Sequence, residues 1–518
     1  MTLQLAPGTA WQTVYARARA AAPQAFDEDG RLLNLYAGQW QRSGSPLTAV
    51  SPVDGSPISG VPRLTRDDAR TALTAAVEEH KVWGEVPLAD RKKRVAAAVA
   101  AMRENRDTLA LLLVWEIGKP WRLACADVDR CLEGADWYGA EIDRQLGDGT
   151  DAARRPLPGP VSNIASWNYP MSVLVHAMLV QLLAGNAVMA KTPTDGGAAC
   201  LSLCAALMRD AGLPITLVSG SGSELSSVLV SNPDIGALAF VGGRSAGGEV
   251  AAGLVDTGKR HMLEQEGLNT WGIWEFSDWD ALAAHFKKGF EYAKQRCTAY
   301  PRYVVQRRLF PQFLEAYLPV LNSLRFGHPL AVEAPSDDLP ELDFGPVINA
   351  AKAAELTDKV EELVVKGGVP LHLGTLADGR FIDGQDTSAY VAPAAILSPP
   401  SSAALFHAEP FGPIDTVVVA DTESELLAQM NASNGALVAS IACDDEALAE
   451  KMARELHAYK VGINKPRSRG DKAETFGGRG ASWKGAFVGG DLLVQAVTQG
   501  PPEERLFGNF PSYSLYPS

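Results

Sequence analysis

Apolar residues recur along the first part of this chain at the spacing of an amphipathic helix. Over residues 65–117 they predict one long helical stretch, with Thr65 as a suitable N-cap. A break at Gly118 precedes a further predicted helix over 124–142. This part of the chain is therefore expected to be helical.

The pattern changes after a stretch rich in glycine and proline at 147–160, which is typical of a boundary or an excursion from a domain. Beyond it, short apolar runs alternate with helical patterns, with strands expected at 161–165, 187–191, 215–218 and 235–241 and helices at 173–183, 198–211, 223–230 and 246–257. Such alternation predicts a parallel, doubly wound sheet with both faces covered by helices.

A second alternating pattern begins after residue 260 and predicts another α/β unit. Its strands are expected near 273, 303–305, 391–396, 416–419 and 439–442, and its helices include 311–321, 350–366 and 423–432. Sheets of this kind bind ligands outside the carboxyl ends of their strands. Functional side chains are therefore expected where the predicted strands end.

The length and the net charge of the chain limit the number of domains and the kinds of partner that can be expected. The chain has 518 residues, too many for one hydrophobic core, with 46% hydrophobic and 21% charged residues. Its 61 acidic residues outnumber 47 Lys and Arg, a net charge of −14, which argues against a nucleic acid or an anionic membrane as partner. No signal peptide is expected, and polar residues interrupt the most apolar run, 173–190, so no membrane span is expected either.

Cysteine and histidine are used sparingly. Six cysteines without a CxxC pair do not suggest a disulfide scaffold, and eight histidines without HxxxH or HxH spacing do not suggest a metal site. Cysteines in helical patterns, such as Cys125 and Cys200, are interpreted as small buried hydrophobic residues. We expect a reducing cytoplasm as the compartment, and no bound metal.

One cysteine stands apart, because Cys297 lies between a basic and a polar residue after an amphipathic segment, 280–294. Upstream, Glu264 interrupts what otherwise resembles the end of a buried strand, and Asn168 follows the predicted strand 161–165. A thiolate attacks carbonyl carbons, a carboxylate can act as a general base, and an amide can donate to an oxyanion. A core cysteine and a helix-capping asparagine are the alternative interpretations.

Two further features suggest a nucleotide. Gly242 ends a predicted strand and Gly247 enters the next helix, so backbone N–H groups there can face an anion. Lys191 closes an earlier strand, from which its ammonium could reach ribose or phosphate oxygens. The structural alternatives are a tight turn for the glycines and a lysine that extends to solvent.

Considered as a set, these motifs resemble the NAD(P)-dependent aldehyde dehydrogenase superfamily over about residues 45–490. In order they are SWNYP with Asn168, AGNAVMAK ending in Lys191, FVGGRSAGG with Gly242 and Gly247, MLEQEG with Glu264, QRCTAYPR with Cys297, AEPFGP with Glu409 and Phe411, and GINKP with Asn464. The resemblance implies an oxidoreductase that converts an aldehyde to its carboxylic acid, with NAD or NADP as cofactor.

The resemblance also implies individual roles. Cys297 would form a thiohemiacetal with the aldehyde, Asn168 and the Cys297 N–H would form the oxyanion hole, and hydride transfer would leave a thioester. Glu264 would activate the water that releases the acid. The implied cofactor-binding residues are Lys191 at the adenosine ribose, Glu409 at the nicotinamide ribose, Phe411 near the nicotinamide, and Trp167, Thr194, Gly242 and Gly247.

Several positions depart from the family pattern. Glu266 replaces a glycine two residues after the base, Gly243 replaces a serine in the pyrophosphate turn, and Lys294 replaces the glycine before Gln295. Thr194, with Asp195 beside it, stands where the family often has a glutamate that would repel a 2′-phosphate, so NADP is expected alongside NAD.

The expected substrate pocket is lined by Tyr169, His176, Arg296 and Thr298. Arg467 and Arg469 follow Asn464, in a region where some relatives for acidic semialdehydes carry basic residues. An aldehyde with a carboxylate or phosphonate is therefore one candidate substrate. An aromatic aldehyde is the other, because Tyr169, Trp271 and Tyr300 could accommodate a ring. Surface ion pairs are the structural alternative for the arginines.

The predicted fold class is α/β, with two doubly wound parallel-sheet domains and a small β oligomerisation arm. Residues 1–146 and 161–263 would form the dinucleotide-binding domain, and residues 264–472 the catalytic domain. Residues 147–160 and 485–518 resemble the family's oligomerisation arm and tail, which implies a homodimer or homotetramer.

Two other functions remain as alternatives. In a CoA-acylating dehydrogenase, CoA would take the thioester; Glu264 argues against this, since relatives that use CoA tend to lack that base. A catalytically weak member with a structural or binding role is suggested by Glu266 and Gly243.

Overall fold

The computed structural model describes residues 2–147, 154–255, 257–433 and 435–510. Its strands are β1 Gln4–Leu5, β2 Asn34–Tyr36, β3 Gln39–Gln41, β4 Thr48–Val50, β5 Pro57–Ser59, β6 Val161–Ile164, β7 Val188–Lys191, β8 Ile215–Val218, β9 Ala237–Gly242, β10 Arg260–Gln265, β11 Thr270–Ile273, β12 Arg302–Gln306, β13 Ala331–Val332, β14 Val369–Leu373, β15 Ala394–Leu397, β16 Ile414–Ala420, β17 Ala436–Ala442, β18 Ala458–Ile463, β19 Trp483–Ala486 and β20 Gly508–Asn509.

The α-helices separate and cover these strands. They are α1 Trp11–Ala21, α2 Arg66–Gly84, α3 Leu88–Glu104, α4 Arg106–Ile117, α5 Trp121–Leu146, α6 His176–Leu183, α7 Ala198–Asp210, α8 Gly222–Leu229, α9 Arg244–Leu254, α10 Trp279–Gly289, α11 Phe310–Asn322, α12 Ala350–Val365, α13 Ala404–His407, α14 Glu423–Met430, α15 Glu446–Ala453 and α16 Gly490–Ala496. Among the described residues, no helix is both long and apolar enough to span a membrane.

The first sheet has the order β20-β19-β10-β9-β6-β7-β8-β2-β3, with β10 through β8 parallel and the outer strands antiparallel. Val188 and Ala190 of β7 pack into one apolar cluster, and Met189 between them packs into another. Because side chains alternate across a strand, the sheet is covered on both faces. The predicted doubly wound sheet is confirmed.

The second sheet has the order β14-β15-β16-β12-β11-β17-β18, and all its strands are parallel except the edge strand β14. The connection from the first sheet to the second is short, since β10 ends at Gln265 and β11 begins at Thr270. Glu264 therefore lies on the first sheet, and the predicted domain boundary between residues 263 and 264 falls inside β10.

The long helical stretch expected over 65–117 is three helices, α2, α3 and α4. Pro87 is the N-cap of α3 and Asn105 lies between α3 and α4. A proline has no N–H to continue a helix, and periodicity alone does not reveal such a break when the apolar face continues beyond it. At the start of α2, Thr65 accepts from the N–H of Asp68 in a capping box, as its position predicted.

The two segments predicted to form an oligomerisation arm are close together. Arg155 pairs with Gln499 as an isolated β-bridge, and β19 extends the first sheet by pairing antiparallel with β10. Residues 148–153 and 511–518 of this prediction lie outside the described residues. The tail thus forms an edge of the nucleotide-binding sheet, and its part in assembly stays a prediction.

Candidate active site

The fold brings Asn168 and the Cys297 loop together, although they are far apart in sequence. Asn168 follows β6, and its side-chain Nδ2 donates to the Gln295 carbonyl over 2.9 Å. Ser166 Oγ donates to Asn168 Oδ1 over 2.6 Å, which fixes the orientation of the amide. Asn168 is buried. Its amide nitrogen therefore lies beside the backbone two residues before the candidate nucleophile.

An unusual turn precedes Cys297. Tyr292, Ala293 and Lys294 have φ angles of 59°, 51° and 56°, in the left-handed region that costs a side chain of this kind on the order of 1–3 kcal/mol. Tertiary hydrogen bonds offset that cost: the Tyr292 hydroxyl donates to the Ile117 carbonyl, and the Gln295 amide donates to the Pro346 carbonyl. The resulting turn holds Cys297 beside the first sheet.

Asn269 holds the other side of the same loop. Its Nδ2 donates to the carbonyls of Cys297 (2.8 Å) and Ala299 (2.7 Å), and its Oδ1 accepts from the N–H groups of Leu437 and Val438 on β17. Asn269 is fully buried and lies in the connection between the two sheets. Sequence reasoning missed it, because the signal is only an asparagine a few residues beyond the base.

Glu264 lies at the carboxyl end of β10, where its carboxylate meets the thiol of Cys297. Only 3% of the Glu264 side chain is exposed. Burial raises the pKa of the Cys297 thiol well above its ordinary value, and the charge and hydrogen bond of Glu264 raise it further. The thiol is therefore protonated at neutral pH and lies beside a carboxylate that can take its proton.

Each oxygen of Glu264 has a different environment. Oε2 forms an ion pair with Arg469 Nη1 at 3.0 Å. Oε1 is buried and has no hydrogen-bond partner in the described part of the chain. Such an oxygen is suited to accept a proton from the Cys297 thiol or from a water molecule.

The predicted nicotinamide-ribose residue, Glu409, is buried, and neither of its carboxylate oxygens has a hydrogen-bond partner among the described residues. Burial, followed by the charge of Glu266, raises the pKa of Glu409 well above its ordinary value. Two buried acceptors without donors fit the two hydroxyls of a ribose. Phe411 adopts φ 53° and its ring meets the ring of Trp167 edge to face at 5.9 Å, which completes an aromatic wall here.

The pyrophosphate and adenosine positions also fit a dinucleotide. Helix α9 begins directly after Gly242 and Gly243, and a Cβ at Gly247 would lie 2.5 Å from the Gln265 side chain, which would have to move to admit it. Lys191 is buried at the end of β7 with its Nζ 3.0 Å from the Thr192 carbonyl. Thr194 is exposed nearby in sequence and brings no negative charge.

Arg244 lies beside Glu266, the residue that departs most conspicuously from the family pattern. Its guanidinium Nη2 donates to the Glu266 carbonyl over 3.4 Å, and its Nε lies 4.0 Å from Glu266 Oε1. The bulky acid that replaces a glycine therefore meets a cation at the N-terminus of α9. Sequence reasoning noted Glu266 and missed Arg244, because nothing local to either residue indicates the pairing.

The predicted substrate-pocket residues occupy different settings. Tyr169 packs its ring against the Lys119 ammonium at 3.8 Å, and His176 packs against Tyr138 at 5.4 Å. Arg296 donates to the carbonyls of Lys288 and Gly289 at the end of α10, so its guanidinium binds the backbone there. Thr298 is half-buried beside Cys297.

The two arginines after Asn464 also differ from each other. Arg467 pairs with Glu474, whereas Arg469 pairs with the candidate base. Trp271 and Tyr300, the candidates for an aromatic substrate, are both buried and pack together at 5.6 Å. Of the two arginines and two aromatic residues, Arg469 is the one in contact with a predicted catalytic residue.

No cluster of possible metal ligands occurs among the described residues.

Known proteins share both this sequence pattern and this fold. A model of the aldehyde dehydrogenase family matches residues 40–499. N-succinylglutamate 5-semialdehyde dehydrogenase 1 of Caulobacter vibrioides is 30% identical, covering 85% of this chain and 92% of that protein. Alpha-ketoglutaric semialdehyde dehydrogenase of Bacillus subtilis is 27% identical, covering 87% of this chain and 93% of that protein.

A solved structure agrees on the fold. NADP-dependent glyceraldehyde-3-phosphate dehydrogenase of Bacillus halodurans, complexed with NADP, superimposes with a TM-score of 0.80 at 23% identity, covering 91% of this chain and 98% of that one. The motif resemblance noted in the sequence is confirmed. Because the family model spans most of the chain and the relatives align over nearly their whole length, this protein belongs to the aldehyde dehydrogenase family.

Proposed function

We propose that this enzyme oxidises an aldehyde to its carboxylic acid with NAD or NADP, through a thioester on Cys297 that water, activated by Glu264, hydrolyses. The observation that supports this most directly is the contact between the Cys297 thiol and the Glu264 carboxylate, beside the amide of Asn168. A nucleophile, a base and an oxyanion donor are the groups that acyl chemistry of this kind requires.

In the first step, Glu264 takes the proton of the Cys297 thiol, and the sulfur forms a bond to the aldehyde carbon. The carbonyl oxygen becomes an oxyanion, which the Asn168 amide and the Cys297 N–H stabilise. Removing one such donor typically costs about 3 kcal/mol in the transition state. Asn168 is suited to this role because its orientation is fixed by Ser166 and Gln295.

When bound, NAD or NADP would supply the acceptor for the hydride that leaves the carbon attached to Cys297. Lys191, Glu409 and the N-terminal turn of α9 after Gly242 would hold it, and Phe411 would limit the position of its reactive ring. The absence of an acid at Thr194 supports use of NADP as well as NAD.

In the last step, a water oxygen bonds to the thioester carbon while Glu264 Oε1 takes the water's proton. The C–S bond breaks, Cys297 leaves as the thiolate, and the carboxylic acid is released. Glu264 reaches this position from the end of β10, which supports release by water over transfer to CoA.

All six cysteines carry free thiols, which supports the proposal of a reducing cytoplasm as the compartment.

Within this reaction, an aldehyde that carries a carboxylate is the favoured substrate. Arg469 supplies a cation at the candidate base, and two relatives carry the names of acid semialdehyde dehydrogenases. The buried positions of Trp271 and Tyr300 do not favour the aromatic alternative.

The test is a panel of aldehydes assayed with NAD and with NADP. Cys297→Ala is expected to abolish NAD(P)H formation, because it removes the sulfur that carries the acyl intermediate. Glu264→Gln is expected to give one equivalent of NAD(P)H per site and a thioester detectable by mass spectrometry. Cys443→Ala, a buried cysteine of the same sheet region, is the matched control and should keep its activity. Unchanged steady-state turnover in the Cys297 variant would contradict the assignment.

A further inference from the structure

Lys294 carries a buried charge at the start of the loop that holds Cys297. Its side chain is only 1% exposed, although lysine is almost never fully buried unless it is paired. The family pattern has a glycine at this position, which brings no side chain to bury. The buried ammonium is therefore an addition in this chain, and its partners indicate what it does.

Three groups from different parts of the chain hold the Lys294 ammonium. Its Nζ lies 2.9 Å from Asp415 Oδ1, 3.1 Å from the Tyr300 carbonyl oxygen and 4.1 Å from the centroid of the Phe290 ring. An ammonium has three N–H donors, and a carboxylate, a carbonyl and an aromatic face are all favourable partners for it. The position of the charge is thus well defined.

The contact with Tyr300 joins the two ends of the Cys297 loop. Lys294 precedes Cys297 and Tyr300 follows it, so the hydrogen bond between them closes the loop. Residues 295–301, all of which the structure describes, belong to no helix or strand, so no regular backbone ladder fixes them. Side chains hold the loop instead: Lys294 holds its ends, and Asn269 bonds to its middle.

Asp415 attaches this closed loop to the second sheet. It lies on β16, next to β12, and its other carboxylate oxygen accepts from the Tyr317 hydroxyl over 2.6 Å. Strand β12 begins just after the loop, where the N–H of Thr416 donates to the Pro301 carbonyl over 2.9 Å. The start of the loop, through Lys294, and its end are therefore both tied to β16.

Stability alone does not account for a charged pair at this position. A buried ion pair and neutral side chains of similar volume give comparable stability, because desolvation cancels most of the attraction. What the charges supply is a fixed geometry for the loop. The Cys297 N–H must point at the oxyanion, and a displacement of about 1 Å in such a group can cost about a hundredfold in rate.

We propose that Lys294 is a positioning residue for acylation: its ammonium joins the two ends of the Cys297 loop on Asp415 and so aligns the Cys297 N–H with the developing oxyanion. This rests on the proposed function, because it assumes that the Cys297 sulfur attacks a carbonyl carbon. Lys294 is buried and acts through the backbone of the loop. Its loss should slow acyl transfer to Cys297 and leave the reactivity of the sulfur itself unchanged.

Two reagents that react with the Cys297 sulfur separate these effects. With p-nitrophenyl acetate, the sulfur bonds to the acetyl carbon through an oxyanion, Glu264 takes the thiol proton, and p-nitrophenolate leaves. With iodoacetamide, the sulfur displaces iodide from a saturated carbon, and no oxyanion forms. The ratio of the two rates therefore measures how well the loop presents its oxyanion donor. Neither reaction needs a cofactor or a known aldehyde.

The test variant combines Lys294→Met with Asp415→Asn, which removes the pair as a neutral unit and leaves the Tyr300 carbonyl without this donor. Its p-nitrophenolate burst should slow by about tenfold to a hundredfold, the scale of a misaligned catalytic group. Alkylation of Cys297, followed by mass spectrometry, should keep its rate. If this variant does not fold, Lys294→Gly with Asp415→Asn provides the same test, because glycine readily adopts the φ of 56° found here.

Tyr317→Phe is the matched control, since it removes one hydrogen bond to Asp415 and leaves the contact between Lys294 and Tyr300 in place. It should keep both rates. An unchanged burst in the test variant, an equal slowing of both reagents, or a slow burst in Tyr317→Phe would overturn the proposal and indicate a purely structural ion pair. A burst that persists in Cys297→Ala would instead refute the proposed function, so the two failures are distinguishable.

Discussion

At the scale of single residues, the proposed mechanism gives Glu264 two proton-transfer tasks. It takes the proton of the neighbouring Cys297 thiol before acylation, and it takes a proton from water afterwards. The proton that it takes from the thiol must leave before it can accept one from water. Arg469, whose side chain is 30% exposed, is the charged partner of Glu264 during these transfers.

The Glu264 charge makes a testable contribution to the thiol. Burial is the main cause of the raised pKa of Cys297, and the Glu264 charge and hydrogen bond are the next. Removing a negative neighbour stabilises the thiolate, so Glu264→Gln should lower the pKa of Cys297. Alkylation by iodoacetamide measured against pH should then have its midpoint above the ordinary 9.0 in the native enzyme and lower in the variant.

Glu266→Gln is the control for this measurement, because Glu266 lies against Arg244 and not against the thiol. It should leave the alkylation midpoint in place. A midpoint that is unchanged or higher in Glu264→Gln would contradict the contact between carboxylate and thiol.

At the scale of elements, the strands were predictable and the turn before Cys297 was not. The buried strands β6, β7 and β8 are continuous apolar runs bounded by helical patterns, so periodicity alone places them. The left-handed residues Tyr292, Ala293 and Lys294 carry no local signal, since each is an ordinary helix or strand residue. Tertiary contacts impose that conformation, and such contacts are not readable from a local pattern.

The same limit applies to the site. Cys297, Glu264 and Asn168 could be proposed from motifs, because each lies in a stretch whose residue types fit its chemistry. The pairing of Arg469 with Glu264 joins residues that are 205 positions apart, and no spacing rule connects them. Which arginine of the loop turns inward is decided by packing.

Lys294, which replaces the expected glycine, stabilises this turn through a buried ion pair. Its Nζ lies 2.9 Å from Asp415 Oδ1, and the Tyr317 hydroxyl donates to Asp415 Oδ2. Both charged side chains are almost fully buried. Lys294→Met would leave the Asp415 charge unpaired, which ordinarily costs about 3–5 kcal/mol. The urea midpoint should therefore fall strongly.

The double variant Lys294→Met with Asp415→Asn is the control, since it removes the charge together with its partner. It should recover much of the lost stability, because a buried pair contributes little beyond what neutral packing can supply. A single variant as stable as the native protein would show that Asp415 is not charged in the fold.

At the scale of the whole molecule, the candidate active site is assembled from both sheets. The first sheet supplies Glu264 from β10 and Asn168 after β6, and the second supplies the Cys297 loop before β12. Asn269, between the sheets, bonds to the Cys297 loop and to β17 at once. The proposed reaction therefore requires that the two sheets dock in this arrangement.

Association of subunits through the tail edge is the remaining prediction, and substitution of Phe507 tests it. The side chain of Phe507 is 70% exposed, directly before the edge strand β20, and an edge strand with an exposed aromatic neighbour favours association. If the tail joins subunits of a homodimer or homotetramer, Phe507→Ser should shift the sedimentation profile toward smaller species. The urea midpoint of the monomer should not change, because little of that side chain is buried. Val82→Ser, at a side chain 72% exposed on α2, controls for loss of an exposed apolar group. Identical profiles for native and Phe507 variants would place the subunit interface on another surface.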